Sequence, residues 1–227
     1  MTTYALMHGG CHGAWCWAPV VDELAGLGHD AIAVDMPITD PAATPFDYAD
    51  VVAASVRGVD DYVLVGHSLG GVIAPFVAEL ARPAALIFVA AALQEGAFGE
   101  NPWPTEASML AIDPLDMAPD DDGLIRMSAD SAAKYFFHDV EDELAERATR
   151  QLRPQGVMGI APSRSPVVDP SVPLGYVITS GDRAIHPAWQ RWVAADVLHA
   201  RTVELDGGHS PFLTRPRELA EALITLS

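Results

Sequence analysis

A serine between two glycines interrupts the chain at Gly66-His67-Ser68-Leu69-Gly70. The apolar residues 62–65 before it predict a buried strand, and the Ala-rich residues 72–81 after it predict a helix. At a sharp turn between a strand and a helix, a serine hydroxyl is held exposed above the sheet, where it can act as a nucleophile. The flanking glycines fit such a turn, because larger residues would collide with the neighbouring strand or helix. The alternative is a glycine-rich turn whose serine only caps the helix.

Two later residues supply the groups that a reactive serine needs. A serine hydroxyl is a weak nucleophile unless a base lies beside it and a carboxylate orients that base. With a serine at this kind of turn, the acid and then the histidine follow along the chain. His209 comes after a predicted strand at 201–205 and Asp182 after one at 173–179, so we assign His209 as the base and Asp182 as the acid. Asp206 competes with Asp182, but its place three residues before His209 favours a role in shaping that loop.

Backbone N–H groups near the serine are candidates for stabilising a negatively charged oxygen. His8-Gly9-Gly10 ends the first predicted strand, and Leu69 follows the serine directly. We therefore predict an oxyanion hole formed by the backbone N–H groups of Gly10 and Leu69. The side chain of His67 is expected to point away from the serine on this sharp turn, which predicts a structural role.

The elements that must position these residues alternate along the chain. Strand-like apolar segments cover residues 3–7, 31–34, 62–65, 84–90, 173–179 and 201–205, with helical patterns between most of them. This alternation predicts one α/β domain over residues 1–227, with about six mostly parallel strands and helices on both faces. The alternation stops between about residues 93 and 168, where short helices and loops are predicted. Because this insertion leaves the sheet directly after the strand next to the serine, we expect it to lie over Ser68.

The insertion is rich in large apolar side chains that could line a pocket. The candidate pocket residues are Trp103, Met109, Met127, Phe136 and Phe137. Methionine adapts to irregular shapes, and a pocket of this kind favours an aromatic or branched apolar acyl group. The alternative is that these side chains form a small core of the insertion itself.

Composition limits the partners and the compartment. Asp and Glu outnumber Lys and Arg by 31 to 13, a net charge of −18, which argues against nucleic acid and anionic membranes as partners. No apolar run is long enough to span a bilayer and no signal-peptide pattern precedes the first strand, so we expect a cytoplasmic protein. The expected partner is a small-molecule ester, bound by a monomer or a homodimer. The spacing of His8, Cys11, His12 and Cys16 fits no zinc site, so no metal is expected.

The longest distinctive motif, His8-Gly9-Gly10-Cys11-His12-Gly13-Ala14-Trp15-Cys16-Trp17, resembles the N-terminal signature of plant-type methylesterases and hydroxynitrile lyases, a branch of the α/β-hydrolases. Residues 28–35, 141–154, 181–185 and 190–192 also resemble stretches of this family. The resemblance implies an α/β-hydrolase fold with a six-stranded core and a small, mainly helical cap at about residues 93–168. It also implies cofactor-free hydrolysis of small esters, often methyl esters.

Two departures from the family pattern bear on the reaction. The hydroxynitrile lyases of this branch carry threonine where Gly9 stands, and lysine where Ser210 follows the histidine. The charge of that lysine serves the release of cyanide, so lyase activity is disfavoured here. The remaining alternatives are a lyase or a hydrolase of a biosynthetic intermediate on the same fold, and a binder of small molecules without catalysis.

Overall fold

The computed structural model describes residues 1–94, 96–98, 109–157 and 166–227. The strands are β1 (Thr3–Met7), β2 (Asp30–Val34), β3 (Val63–His67), β4 (Ala85–Val89), β5 (Leu124–Ile125), β6 (Gln155–Gly156), β7 (Leu174–Thr179) and β8 (Arg201–Leu205). The helices are α1 (Ala18–Gly26), α2 (Pro45–Ser55), α3 (Leu69–Leu80), α4 (Ala129–Tyr135), α5 (Asp142–Thr149), α6 (Pro187–Trp192), α7 (Pro211–Thr214) and α8 (Pro216–Leu226). None of the helices in these ranges is both long and apolar enough to cross a membrane.

Six of the strands form a parallel sheet in the order β2-β1-β3-β4-β7-β8. This arrangement is the α/β-hydrolase fold that the alternation and the resemblance predict. Every residue of β3 and β4 is buried, as expected of central strands covered on both faces. Because all six strands run in the same direction, the loops that follow β1, β3, β7 and β8 meet at one edge of the sheet.

Side chains alternate between the two faces of the sheet and pack against different helices. On one face, Ala5 and Met7 of β1 join a core that includes residues of α2, α3 and α6. On the other, Tyr4 and Leu6 join a core that includes residues of α1 and α8. This two-sided burial follows from the period of two in a strand, and it makes the sheet a rigid support for the loops at its edge.

The described part of the insertion forms a cap with its own apolar cluster. The cluster contains Tyr135, Phe136 and Phe137 from the end of α4 and Ala148 from α5. No clean strand is predicted in this region, but β5 and β6 pair antiparallel, with Leu124 opposite Gly156 and Ile125 opposite Gln155. Strands of two residues are too short for hydrophobic alternation to show in the sequence.

Two helices differ in extent from their predicted bounds. The helix after the serine begins at Leu69 rather than at residue 72, so Gly70 and Gly71 belong to its first turn. The helix predicted between the last two strands of the sheet is α-helical only to Trp192 and continues as a π-helical turn, Val193–Val197. Neither difference moves the strand ends that carry the candidate residues.

Candidate active site

The turn that carries Ser68 is strained and held by backbone hydrogen bonds. Ser68 has φ 50° and ψ −117°, a conformation that residues other than glycine rarely adopt. Its N–H donates to the Val89 carbonyl at 3.2 Å, and its carbonyl accepts from Gly71 at 2.9 Å and Ala92 at 3.0 Å. These three bonds tie the turn to the end of β4 and to the start of α3, which stabilises the strained conformation.

The glycines around this turn are required by close backbone contacts. A Cβ at Gly66 would lie 2.7 Å from the Gly70 carbonyl oxygen, and one at Gly70 would lie 3.0 Å from the Met7 carbonyl oxygen. The predicted collisions with the neighbouring helix and strand are therefore confirmed for both glycines. The serine is consequently held between β1, β3 and α3 by packing that larger residues would prevent.

His209 and Asp182 meet in a short buried hydrogen bond. The imidazole Nδ1 lies 2.9 Å from the Asp182 Oδ2, and both side chains are almost fully excluded from solvent. A carboxylate accepts here, so Nδ1 carries the proton and Nε2 is left free to accept one. This is the tautomer that a general base needs.

Four further donors hold the Asp182 carboxylate in place. Its Oδ1 accepts from the backbone N–H groups of Ala184 at 2.7 Å and Ile185 at 3.0 Å. Its Oδ2 accepts from Thr179 Oγ1 and Gln190 Nε2, each at 2.9 Å. Burial alone would raise the pKa of Asp182, but the neighbouring His209 and the backbone N–H groups lower it below its ordinary value. The carboxylate is therefore charged at neutral pH.

Asp206, the alternative candidate for the acid, and His67, for which a structural role is predicted, have other partners. Asp206 accepts from Ser180 Oγ at 3.2 Å and pairs with Arg215 at 3.5 Å, and its side chain is 90% exposed. His67 is fully buried, and its Nε2–H donates to the backbone carbonyl of His209 at 2.8 Å. His67 therefore fixes the main chain of the residue that we assign as the base.

Gly10 and Leu69 line the same cavity as Ser68. Within the described ranges, neither N–H has a hydrogen-bond acceptor. Leu69 is the first residue of α3, where backbone N–H groups lack partners within the helix and the helix dipole favours negative charge. The backbone N–H groups of these two residues remain the candidates for the predicted oxyanion hole.

The loop that carries Gly10 is anchored by side chains from the cap, which the sequence analysis did not single out. Gln155 of β6 accepts from the backbone N–H of Cys11 at 3.4 Å. Arg153 donates to both carboxylate oxygens of Asp35, at 2.9 and 2.8 Å, and also to the His12 carbonyl. Arg153 belongs to the stretch 141–154 that resembles the family, which is the one sequence signal at this anchor.

Two more histidines lie buried behind this loop. His12 donates from Nδ1 to the Gly10 carbonyl, and its ring packs among Trp15, Phe136 and Phe212. Burial lowers the pKa of His12 to about 3 and that of His8 to about 4, because the protonated rings would lose their hydration. Both rings are therefore neutral at the pH of a cell.

The cavity at Ser68 has a volume of about 300 Å³ and an apolar lining. The core contributes residues from the loop after β1, the serine turn, α3, the loop after β4 and the loop before α6, and the cap contributes the remainder. The lining consists of Gly10, Cys11, Ser68, Leu69, Val72, Ala92, Met109, Leu110, Ile112, Met117, Ile125, Phe136, Gln155, Gly156, Val157, Ala184 and Ile185. The described part of the insertion thus lies over Ser68, as predicted. Phe136 also stacks on the His209 ring, with 5.5 Å between the ring centroids.

The candidate pocket residues separate into three groups. Met109 and Phe136 line the cavity, and Trp103 lies outside the described residues. Phe137 and Met127 do not border it: Phe137 is buried in the apolar cluster of the cap, to which Phe136 also belongs, and Met127 packs against that cluster. Adjacent residues at the end of a helix point about 100° apart, so Phe136 and Phe137 cannot share one face.

Comparisons with known proteins agree with this geometry. The sequence matches the alpha/beta hydrolase family over residues 5–222. Esterase PIR7B of Oryza sativa subsp. japonica is 31% identical over 256 residues, covering 99% of this chain and 95% of the rice protein. Methylesterase 9 of Arabidopsis thaliana is 26% identical over 268 residues, covering 100% of this chain and 98% of its own.

Solved structures share the fold at lower identity. Polyneuridine aldehyde esterase has a TM-score of 0.79 at 22% identity, covering 99% of this chain and 98% of that chain. A pyrethroid hydrolase from Sphingobium faniae has a TM-score of 0.82 at 21% identity, covering 99% and 96%. With the near-complete family match and the rice esterase, these findings lead to one conclusion: the chain belongs to the α/β-hydrolase family, resembles its plant methylesterases and esterases, and is a carboxylic ester hydrolase.

Proposed function

We propose that this enzyme cleaves small, mostly apolar carboxylic esters, methyl esters among them, through an acyl-enzyme formed on Ser68. The observation that carries the proposal is the buried Asp182–His209 pair beside an apolar cavity. Phe136 stacks on the His209 ring and lines this cavity together with Ser68. The described lining of that cavity contains no charged side chain. An ester with an apolar acyl group matches such a lining, and a substrate with a second carboxylate does not.

In the proposed reaction each residue has a definite role. Ser68 Oγ attacks the acyl carbon while His209 Nε2 accepts its proton, and Asp182 remains ionised and stabilises the imidazolium. The N–H groups of Gly10 and Leu69 donate to the carbonyl oxygen as it becomes negative. The imidazolium then returns its proton to the leaving alcohol. Water, deprotonated by His209, hydrolyses the acyl-enzyme to the acid and free serine.

Two local features favour hydrolysis over the lyase reaction. A Cβ at Gly9 would lie 2.8 Å from His67 Nδ1 and 2.9 Å from the Ser68 Cβ, so the threonine of the lyases does not fit here without a shift of these groups. Ser210, which stands in place of the lyase lysine, is fully buried and brings no positive charge. A protein that only binds its ligand has no need of a buried acid–base pair next to a strained serine.

The first experiment tests the nucleophile. Ser68→Ala is expected to abolish ester turnover and leave the fold intact, because the removed hydroxyl contributes little packing. A fluorophosphonate probe and a slowly hydrolysed ester should each add their mass to Ser68 in the native protein. An adduct on another residue, or full activity of the alanine variant, contradicts the proposal.

The second experiment separates the two aspartates. Asp182→Asn leaves an amide N–H facing His209, which favours the wrong tautomer, and should lower kcat by about 10⁴. Asp206→Asn serves as the matched control, because among the described residues its exposed side chain bonds Ser180 and Arg215, and kcat should change little. A larger loss in Asp206→Asn would show that the acid is misassigned.

The third experiment tests the acyl group. Esters that share one alcohol and differ in the acid, namely acetate, benzoate, phenylacetate and succinate, should be compared by kcat/KM. We expect the aromatic acids to be preferred over the succinate monoester, whose second carboxylate would be desolvated without a partner in the cavity. A preference for succinate would contradict the apolar assignment.

A further inference from the structure

The cap contacts both loops of the acid–base pair through residues 136–139, which connect the ends of α4 and α5. Phe136 stacks on the His209 ring with an interplanar angle of 26°. The Asp139 Oδ2 accepts from the backbone N–H of Gly208 at 2.6 Å, one residue before His209. His138 lies against the Gly181 carbonyl, one residue before Asp182. Residues 136–139 therefore contact the His209 ring and the backbone of the residues that precede His209 and Asp182.

Glycines make the approach of Asp139 possible. A Cβ at Gly208 would lie 2.6 Å from the His138 Cε1 and would also collide with the Asp139 carboxylate. Gly207 adopts φ 143°, a conformation that favours glycine. The Gly207 carbonyl accepts from the Gly181 N–H at 2.9 Å. The loop of Asp182 and the loop of His209 are thus hydrogen-bonded to each other. The loop of His209 is also hydrogen-bonded to the cap through Asp139.

We propose that Asp139 is a positioning residue for the base: by accepting from the Gly208 N–H, its carboxylate fixes the loop that presents His209 to Asp182 and Ser68. The proposal rests on the proposed function, which assigns His209 as the base. A hydrogen bond between a carboxylate and a backbone N–H is short and charge-assisted, and it orients the peptide that leads into His209. Displacement of a base by a fraction of an ångström slows the chemical step more than it weakens binding.

The test compares three variants on an ester that the native enzyme turns over. Asp139→Ala removes the acceptor and should lower kcat about tenfold while KM stays within about twofold. Asp139→Asn keeps an oxygen acceptor for Gly208 and should retain most of kcat. Glu141→Ala is the matched control, because Glu141 also accepts a backbone N–H in the cap, that of Leu144 at 3.2 Å, away from the pair. It should leave kcat unchanged.

A spectroscopic readout makes the test independent of turnover. The His209 Nδ1–H bonded to Asp182 should give a downfield proton resonance, which is identified by its loss in His209→Gln. This resonance should broaden or shift in Asp139→Ala and remain in Glu141→Ala. If the native protein proves inactive on every ester, the proposed function fails, and the resonance still decides whether Asp139 positions His209.

Several results would overturn the proposal. Asp139→Ala would overturn it by keeping the native kcat, or by raising KM without lowering kcat. The proposal is also overturned if Glu141→Ala or Asp139→Asn loses as much kcat as Asp139→Ala does. If Asp139→Ala does not fold, Asp139→Ser replaces it, because the serine hydroxyl is too short to reach the Gly208 N–H. A native kcat and an unchanged resonance in Asp139→Ser would then refute the positioning role.

Discussion

Lowering the pH from about 7.5 to about 5 should reduce the free energy of unfolding by about 4 kcal/mol through His8 and His12 alone. Both rings are buried and neutral, with pKa values lowered by burial to about 4 and about 3. For His8, the nearby Arg153 lowers the pKa further, whereas the Gly9 carbonyl and Asp35 oppose the shift. For His12, the Gly10 carbonyl opposes it.

The sign follows from which state binds more protons. In the unfolded chain both histidines return to the ordinary pKa of 6.5, so below that pH the unfolded state takes up protons that the folded state does not. Stability is therefore complete above the unfolded pKa and is lost as the pH falls below it. At about pH 5, which is about 1.5 units below the ordinary pKa of 6.5, each ring lowers the free energy of unfolding by about 2 kcal/mol. This follows from about 1.36 kcal/mol for each unit.

The expected loss of free energy of unfolding depends little on the pKa values of His8 and His12 in the folded state. Both values lie about one unit or more below pH 5, so the loss at that pH is set by the ordinary value of 6.5. Burial also lowers the pKa of His67, which adds a loss of the same sign. Asp182 and Asp35 have lowered pKa values and lose their contribution only below about 3.8, outside this range. A loss of about 4 kcal/mol is a large share of the 5–15 kcal/mol typical of a domain.

The assay is urea unfolding at several pH values between about 7.5 and about 5, followed by far-UV circular dichroism. His12→Phe retains an aromatic ring among Trp15, Phe136 and Phe212 but cannot take up a proton, so its loss over this range should be smaller by about 2 kcal/mol. His199→Asn is the control: His199 is exposed, and asparagine tolerates its φ of 48°. The reasoning is refuted if the native free energy of unfolding is the same at both pH values, or if His12→Phe and His199→Asn show the same pH dependence.

Three further variants test packing, anchoring and the cavity. Gly71→Ala places a Cβ against the Ala92 carbonyl and should destabilise the fold by about 2 kcal/mol in urea unfolding; an unchanged midpoint would contradict the close approach. Arg153→Lys loses the paired hydrogen bonds to Asp35 and should weaken the loop that carries Gly10, which would appear as a lower kcat with little change in KM. Ile112→Phe should fill part of the 300 Å³ cavity and lower kcat/KM for phenylacetate esters about tenfold more than for acetate esters, and equal losses would place the acyl group elsewhere.

The sequence alone determined the order of the strands along the chain and the sharp turn at Ser68. These signals are local: an apolar run of strand length, glycines at fixed offsets, and a helical segment directly after them. It also indicated Asp182 and His209, because the carboxyl ends of parallel strands meet at one edge of a sheet whatever separates them in the chain. The structure places these two side chains 2.9 Å apart, and their catalytic roles remain predictions that the variants above test.

Only the tertiary structure decided which side chains of the cap face Ser68. Phe136 and Phe137 are neighbours of the same type and both belong to the cap cluster, and only the direction in which α4 ends makes Phe136 border the cavity as well. Contacts across long stretches of chain were equally invisible to local patterns. Asp139 and Gly208 are 69 residues apart and Gln155 and Cys11 are 144 apart, and such pairs form only once the cap has folded onto the sheet. Local patterns predict elements, whereas the hydrogen bonds that orient a site depend on how those elements pack.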